Sequence, residues 1–151
     1  MIQVLHVTNV LEGLLKFHLM AAHQYRLHAA ICKTWGYHKL AQADMARCNE
    51  KLINAGIIMD RILFLGAFPN INQLPTSYFA TNNIEDQLDA DLNTEHHIKD
   101  QAILAINNCI DTNDWATRAI LEKIAISTDQ HIGEIETQQH LVQSNGRWVF
   151  I

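Results

Sequence analysis

Apolar residues return every three or four positions, almost without interruption, through four windows of about thirty residues each. A stripe of that length commits a chain to long amphipathic helices packed on one another, because no single helix can bury such a face alone. In residues 3 to 34 the stripe is Val7, Leu11, Leu14, His18, Ala22, Tyr25, Ala29 and Cys32. The short TWGY, with Gly36, reads as a tight turn between helices. A second helix is predicted from about 37 to 65, stopping before Gly66 and Pro69. PNINQLPTSYFATNN follows, rich in turn formers and too long for a hairpin connection. Asn83 with Asp86 three residues on predicts the N-cap of a third helix, whose face carries Leu88, Leu92, Glu95, Ala102, Ile106 and Cys109. After the polar DTND turn, with Asp114 as cap, a fourth helix runs to about Gln143 along Leu121, Ile124, Thr128, His131, Ile135 and Val142. The tail SNGRWVFI is too short for another long element.

Four long helices joined short–long–short predict an all-α, single-domain chain over residues 1–151. The expected architecture is a four-helix bundle with one long crossover between the second and third helices, the ferritin-like arrangement. Composition excludes several function classes. The net charge of −5 comes without any basic run to neutralise phosphates, so no nucleic-acid partner is expected. No stretch approaches the ~20 continuous apolar residues of a membrane span. The opening MIQVLHVTNVLEGLL does not read as a signal peptide. Cys32, Cys48 and Cys109 have no metal-knuckle spacing, and free thiols in a reducing, cytoplasmic setting are the expectation.

The informative residues are those that interrupt the stripes. Lys51 and Asn54 fall on the line that continues through Ile58, Ile62 and Leu65. His18 interrupts the first helix, Glu95 the third, Thr128 and His131 the fourth. Two of these sets have i, i+3 spacing. One polar contribution from every helix at mid-height is how a bundle builds a metal site in its core. A buried charge without a partner is costly, so these groups are expected to satisfy one another or an ion.

The chain resembles bacterioferritin, the haem-containing bacterial branch of the ferritins. The likeness runs through LHA at 27 to 29, WG at 35 and 36, RILFL at 61 to 65 with PN at 69 and 70, and HI at 131 and 132. Through Asn70 it needs no gap. The family's di-iron ferroxidase centre takes a glutamate from the first helix, Glu-x-x-His from the second, a glutamate from the third and Glu-x-x-His from the fourth. By this resemblance the first glutamate falls on His18, and the second-helix pair falls on Lys51 and Asn54. The third glutamate is Glu95, a match, and the last pair falls on Thr128 and His131, of which the histidine matches. The resemblance therefore implies the family's fold but a ferroxidase activity lost or strongly impaired. Lys51 is expected in the metal's place, pairing with Glu95 and within reach of Asn54 or Thr128, because an ammonium offers a metal no lone pair and repels it. Lys51, Asn54 and Thr128 are not expected to bind metal. His18, Glu95 and His131 could still form a mononuclear two-histidine, one-carboxylate site with different chemistry.

Haem in the family is held by a methionine from each of two facing subunits, and the matching position is Leu52, which cannot ligate iron. Met45 and Met59 lie a heptad to either side. Haem is thus not expected in a homodimer, though a mixed dimer could hold one through its partner's methionine. Tyr25 and Trp35 match family positions and read as packing rather than as electron donors, while for His28 the match leaves packing and function open. His96 and His97 are expected at a surface or an interface, and Glu50 on a solvated face. The resemblance implies two-fold dimers and a twenty-four-subunit shell around stored ferric mineral. In such a shell this chain would work beside an active subunit. The rival expectations are the residual metal site and a purely structural shell or dimer.

Overall fold

The computed structural model describes residues 2–151, with side chains described from His6 onward. Four helices run almost end to end: α1 Ile2–Thr34, α2 His38–Phe64, α3 Ile84–Thr112 and α4 Trp115–Asn145. A 3-10 turn, Arg147–Phe150, follows α4 and packs back on it. The boundaries lie within a few residues of the sequence reading, with α4 running two residues past Gln143.

The ends form where the side chains allow. Gly36 takes φ 89° in the α1–α2 turn, where Tyr37 N–H returns to Cys32 O at 2.8 Å. Asn83 Oδ1 accepts the Asp86 N–H at 2.7 Å, the N-cap of α3 that the sequence predicts. Asn113, at φ 57°, closes α3 in the left-handed region that asparagine tolerates. Asp114 caps α4 by accepting from Thr117 N–H at 3.1 Å, while Arg61 of α2 reaches both Asp114 and Thr117 across the bundle.

α1 packs on α2 and α3 on α4 as two hairpins, with α1 also against α3. The crossover between Phe64 and Ile84 joins them, as the short–long–short spacing predicts. The predicted stripes are the buried faces: Val7, Leu11, Leu14, Tyr25, Ile58, Ile62, Leu88, Ala102, Leu121, Ile124 and Ile135 are all under 10% exposed. The apolar core divides in two. A larger cluster includes Leu14, Ile58, Ile98 and Leu121, and a smaller one Leu40, Leu88, Ile135 and Phe150. Between them lies a belt of buried polar side chains, among them Gln24, His28, Asp44, Arg47, Lys51, Asp91, Glu95, Thr128 and His131.

Candidate functional site

The belt is held in place by helix register. Lys51 on α2 and Glu95 on α3 occupy stripe positions, so both side chains must point inward, and both are completely buried. Lys51 Nζ donates to Glu95 Oε2 at 2.9 Å. The other carboxylate oxygen, Oε1, accepts from Tyr25 Oη at 2.7 Å and lies 3.3 Å from His131 Nδ1. His131 Nδ1 is also 3.4 Å from Lys51 Nζ. Its other nitrogen, Nε2, donates to Glu50 Oε2 at 2.7 Å, and Ser127 Oγ donates to Glu50 Oε1. Nε2 must carry a proton, since a carboxylate only accepts. Nδ1 faces a donor and an acceptor, so the ring can accept from Lys51 when neutral or donate to Glu95 as an imidazolium.

Electrostatics follow from these contacts. Burial alone would raise the Glu95 carboxyl, but the Lys51 ammonium and then His131 outweigh it and hold it down at about 2. Burial pushes His18 down to about 4, with the charge of Lys51 adding to it. His18 is therefore a neutral imidazole near neutral pH. Its Nδ1 lies 2.9 Å from Leu14 O, a pure acceptor, so the proton sits there and Nε2 is left with a bare lone pair. Among the described residues, that buried nitrogen has no hydrogen-bond partner. For Glu50, partial burial works against the hydrogen bonds from Ser127 and His131, and the net effect is a lowered carboxyl.

The structure brings together one expected pair and places several other residues differently from the sequence reading. Lys51 pairs with Glu95, as expected from two charges on apolar stripes. Its further neighbour is His131 rather than Asn54 or Thr128. Thr128 Oγ1 is occupied by its own helix, donating to Ile124 O at 2.8 Å. Glu50, expected on a solvated face, is tied into the layer by His131 and Ser127. Tyr25, read as packing, donates a hydrogen bond to Glu95, and the Arg47 guanidinium stands 5.8 Å from its ring centre. His18, Glu95 and His131 share the layer, but among the described residues no group of three histidine, cysteine or carboxylate side chains is arranged to hold a metal ion. Leu52 lies on the outer surface, half exposed, with Met45 and Met59 partly buried to either side. His96 and His97 are exposed, and His97 stacks between Phe17 and Tyr78.

A second buried cluster sits beside the first. His28 Nδ1 donates to Asp91 Oδ1 at 2.8 Å, and Gln24 Nε2 donates to the same oxygen at 2.9 Å. Gln24 Oε1 accepts from Ser77 Oγ and Tyr78 N–H, and His28 Nε2 accepts from Ala80 N–H at 3.0 Å. This cluster clamps the crossover onto α1 and α3. On α2, Asp44 and Arg47 form a third buried pair, 3.3 Å apart, with Arg47 reaching Gln138 of α4.

The Ferritin-like domain family matches residues 8–144, nearly the whole bundle. Bacterioferritin from Mycobacterium avium is 32% identical over 93% of this chain and 87% of its own length. Bacterioferritins from Mycobacterium leprae and from Brucella melitensis are 29% and 27% identical over similarly long spans. The chain belongs to the bacterioferritin family. The family is one of iron storage, and its four-helix bundle is the fold found here. Among the described residues no helix is long and apolar enough to cross a membrane.

Proposed function

We propose that this chain is a subunit of a bacterioferritin-type iron-storage cage that does not oxidise iron at its own centre and works beside a second, active subunit. The observation that carries this reading is the position of Lys51 Nζ, 2.9 Å from Glu95 at the middle of the polar layer. Two ferrous ions do not fit this donor set. Their four positive charges would meet one fully buried carboxylate, Glu95, already neutralised by Lys51. Glu50, the next nearest, is held by His131 and Ser127. The ammonium has no lone pair to offer and would repel a cation at this range. Lys51 thus supplies from within the charge that a metal would bring, and no oxidation step passes through the layer.

Iron enters this reading as cargo. A cage needs walls as well as catalytic centres, and an acidic chain, −5 overall, contributes to a field that draws cations inward. Leu52 leaves no sulfur where the family places its haem ligand, so a haem would be held in a mixed dimer through the partner's methionine. The three cysteines are free and buried, which suits a reducing cytoplasm.

The test is aerobic addition of ferrous iron to the chain purified alone. The expected rate is that of the buffer, and oxidation at a rate typical of the family overturns the reading. Native mass spectrometry of the particle from its own cells then tests the partnership, with a mixed, iron-bearing shell as the expected result. A second reading rests on the bare Nε2 of His18. With Lys51 displaced, His18, Glu95 and His131 would offer two imidazoles and a carboxylate to one ion. One equivalent of zinc or iron in the purified protein, lost in a His18→Leu variant, would favour it.

A further inference from the structure

The crossover is held to the bundle by a histidine in one defined protonation state. The Ala80 backbone N–H can only donate, so the His28 Nε2 facing it at 3.0 Å must carry the lone pair. The single ring proton then sits on Nδ1 and goes to Asp91 Oδ1 at 2.8 Å. His28 is completely buried, so no water stands ready to replace either partner. A second proton has one place to go, Nε2, and there it sets N–H against N–H. The same proton strengthens the other side of the ring, because His28 becomes a charge-assisted donor to a carboxylate.

We propose that His28 is a proton-operated latch on the C-terminal end of the crossover. Protonation keeps the ring on Asp91 and expels Ala80, loosening the chain from Ala80 onward, while Gln24 still holds Ser77 and Tyr78 and Ser77 Oγ still holds the Phe79 N–H. Among the described residues no charged group other than Asp91 is hydrogen-bonded to the ring. Residues 66–83 of the crossover contain no Asp, Glu, Lys, Arg or His, and the Tyr78 phenol is their one titratable side chain. From α3 the ring meets Asp91. From its own helix its neighbours in sequence are Gln24, Tyr25 and Cys32, with Gln24 bound to the same carboxylate. From α2, Asp44 acts on Asp91, while Arg47 is directed to Asp44 and to Glu134 and Gln138 of α4. His97 touches the crossover through a ring stack on Tyr78, which a positive charge would tighten rather than loosen. The latch therefore has one working proton. Its output is local: Thr81 forms one wall of a shallow cavity whose other walls are Ala30, Ile31, Thr34 and the half-exposed Trp35. Release opens that face of the molecule.

Hydrogen–deuterium exchange on the intact assembled protein, between about pH 7.5 and about pH 5.5, tests this. After correction for the intrinsic exchange rate, the 79–82 segment, which carries the Ala80 amide, should exchange several-fold faster at the lower pH, because a ring protonated at Nε2 no longer accepts from the Ala80 N–H. Residues 71–74 of the same crossover, to which no histidine among the described residues is hydrogen-bonded, should not change. His28→Gln, whose amide can accept from Ala80 but cannot titrate, should abolish the response, and His97→Phe should leave it intact. A wild-type response that is absent, that spreads equally to 71–74, or that persists in His28→Gln overturns the proposal. Should His28→Gln fail to fold, the wild-type contrast between 79–82 and 71–74 decides alone.

Discussion

The Lys51 layer and the His28 clamp are both polar networks built on a buried carboxylate in the same belt, Glu95 in one and Asp91 in the other, yet they close in different ways. In the first, Glu95 is answered by a side-chain cation from the opposite helix hairpin. In the second, Asp91 is answered by neutral donors, Gln24 and His28, whose remaining valences go to the backbone of the crossover. Charge balance in the first is a property of the bundle, while in the second it belongs to the bundle and the crossover together. Removing a member of the Lys51 layer should therefore act on global stability, and removing a member of the clamp should act on a segment.

The largest effect expected is for Lys51→Leu. It strands the Glu95 carboxylate in a fully buried site, and breaking a buried pair from one side costs about 3–5 kcal/mol. The midpoint of urea unfolding should fall accordingly. Lys51→Leu with Glu95→Leu should recover most of the loss, because the pair removed together leaves no uncompensated charge. Recovery of less than half would mean that Tyr25 and His131, left without Glu95, matter more than the charge itself.

Next in size is the acid limb of stability. His18 has its folded pKa depressed to about 4 from 6.5, by burial and then by Lys51, so the unfolded chain binds its proton more readily. Its contribution is complete above about pH 6.5 and is lost as pH falls through about 4, a change of roughly 3 kcal/mol in order of magnitude. Glu95, depressed from 4.5 to about 2, adds a second loss at lower pH, complete only near its folded value. Melting temperature should therefore begin to drop below about pH 6.5 and steepen below about 4.5. His18→Leu should flatten the first part alone.

What was legible in the sequence is what periodicity can carry. The four stripes, the caps at Asn83 and Asp114, and the inward placing of Lys51 and Glu95 follow from residues on or beside a 3.6-residue repeat, and the pairing of those two from the family resemblance. Asp44 and Arg47 were legible too, had the α2 stripe been followed back from Lys51 in steps of four and three. Glu50 and Ser127 were not. Each stands one position before a stripe residue, at the edge where α2 meets α4, and such a position reads as solvated until the neighbouring helix is in place. The clamp was hidden for a different reason. Its acceptors on α1 face an aperiodic segment, and a backbone N–H leaves no mark in a sequence.

The smallest effect sharpens the comparison most. Gln24→Ala removes the acceptor of Ser77 Oγ, Tyr78 N–H and Thr94 Oγ1 and one of the two donors to Asp91. Asp91 keeps His28, and the freed crossover groups lie close enough to the surface to find water, so the cost to the whole fold should be about 1 kcal/mol. Amide exchange at Tyr78, and at Phe79 through Ser77, should rise sharply all the same, because those groups have lost their hold on the bundle, while Ala80 stays on His28. Lys51→Leu should give the reverse, a large fall in the unfolding midpoint with the crossover still protected under native conditions. If Gln24→Ala instead lowers the midpoint as much as Lys51→Leu, the crossover is part of the cooperative core. The two networks would then be one.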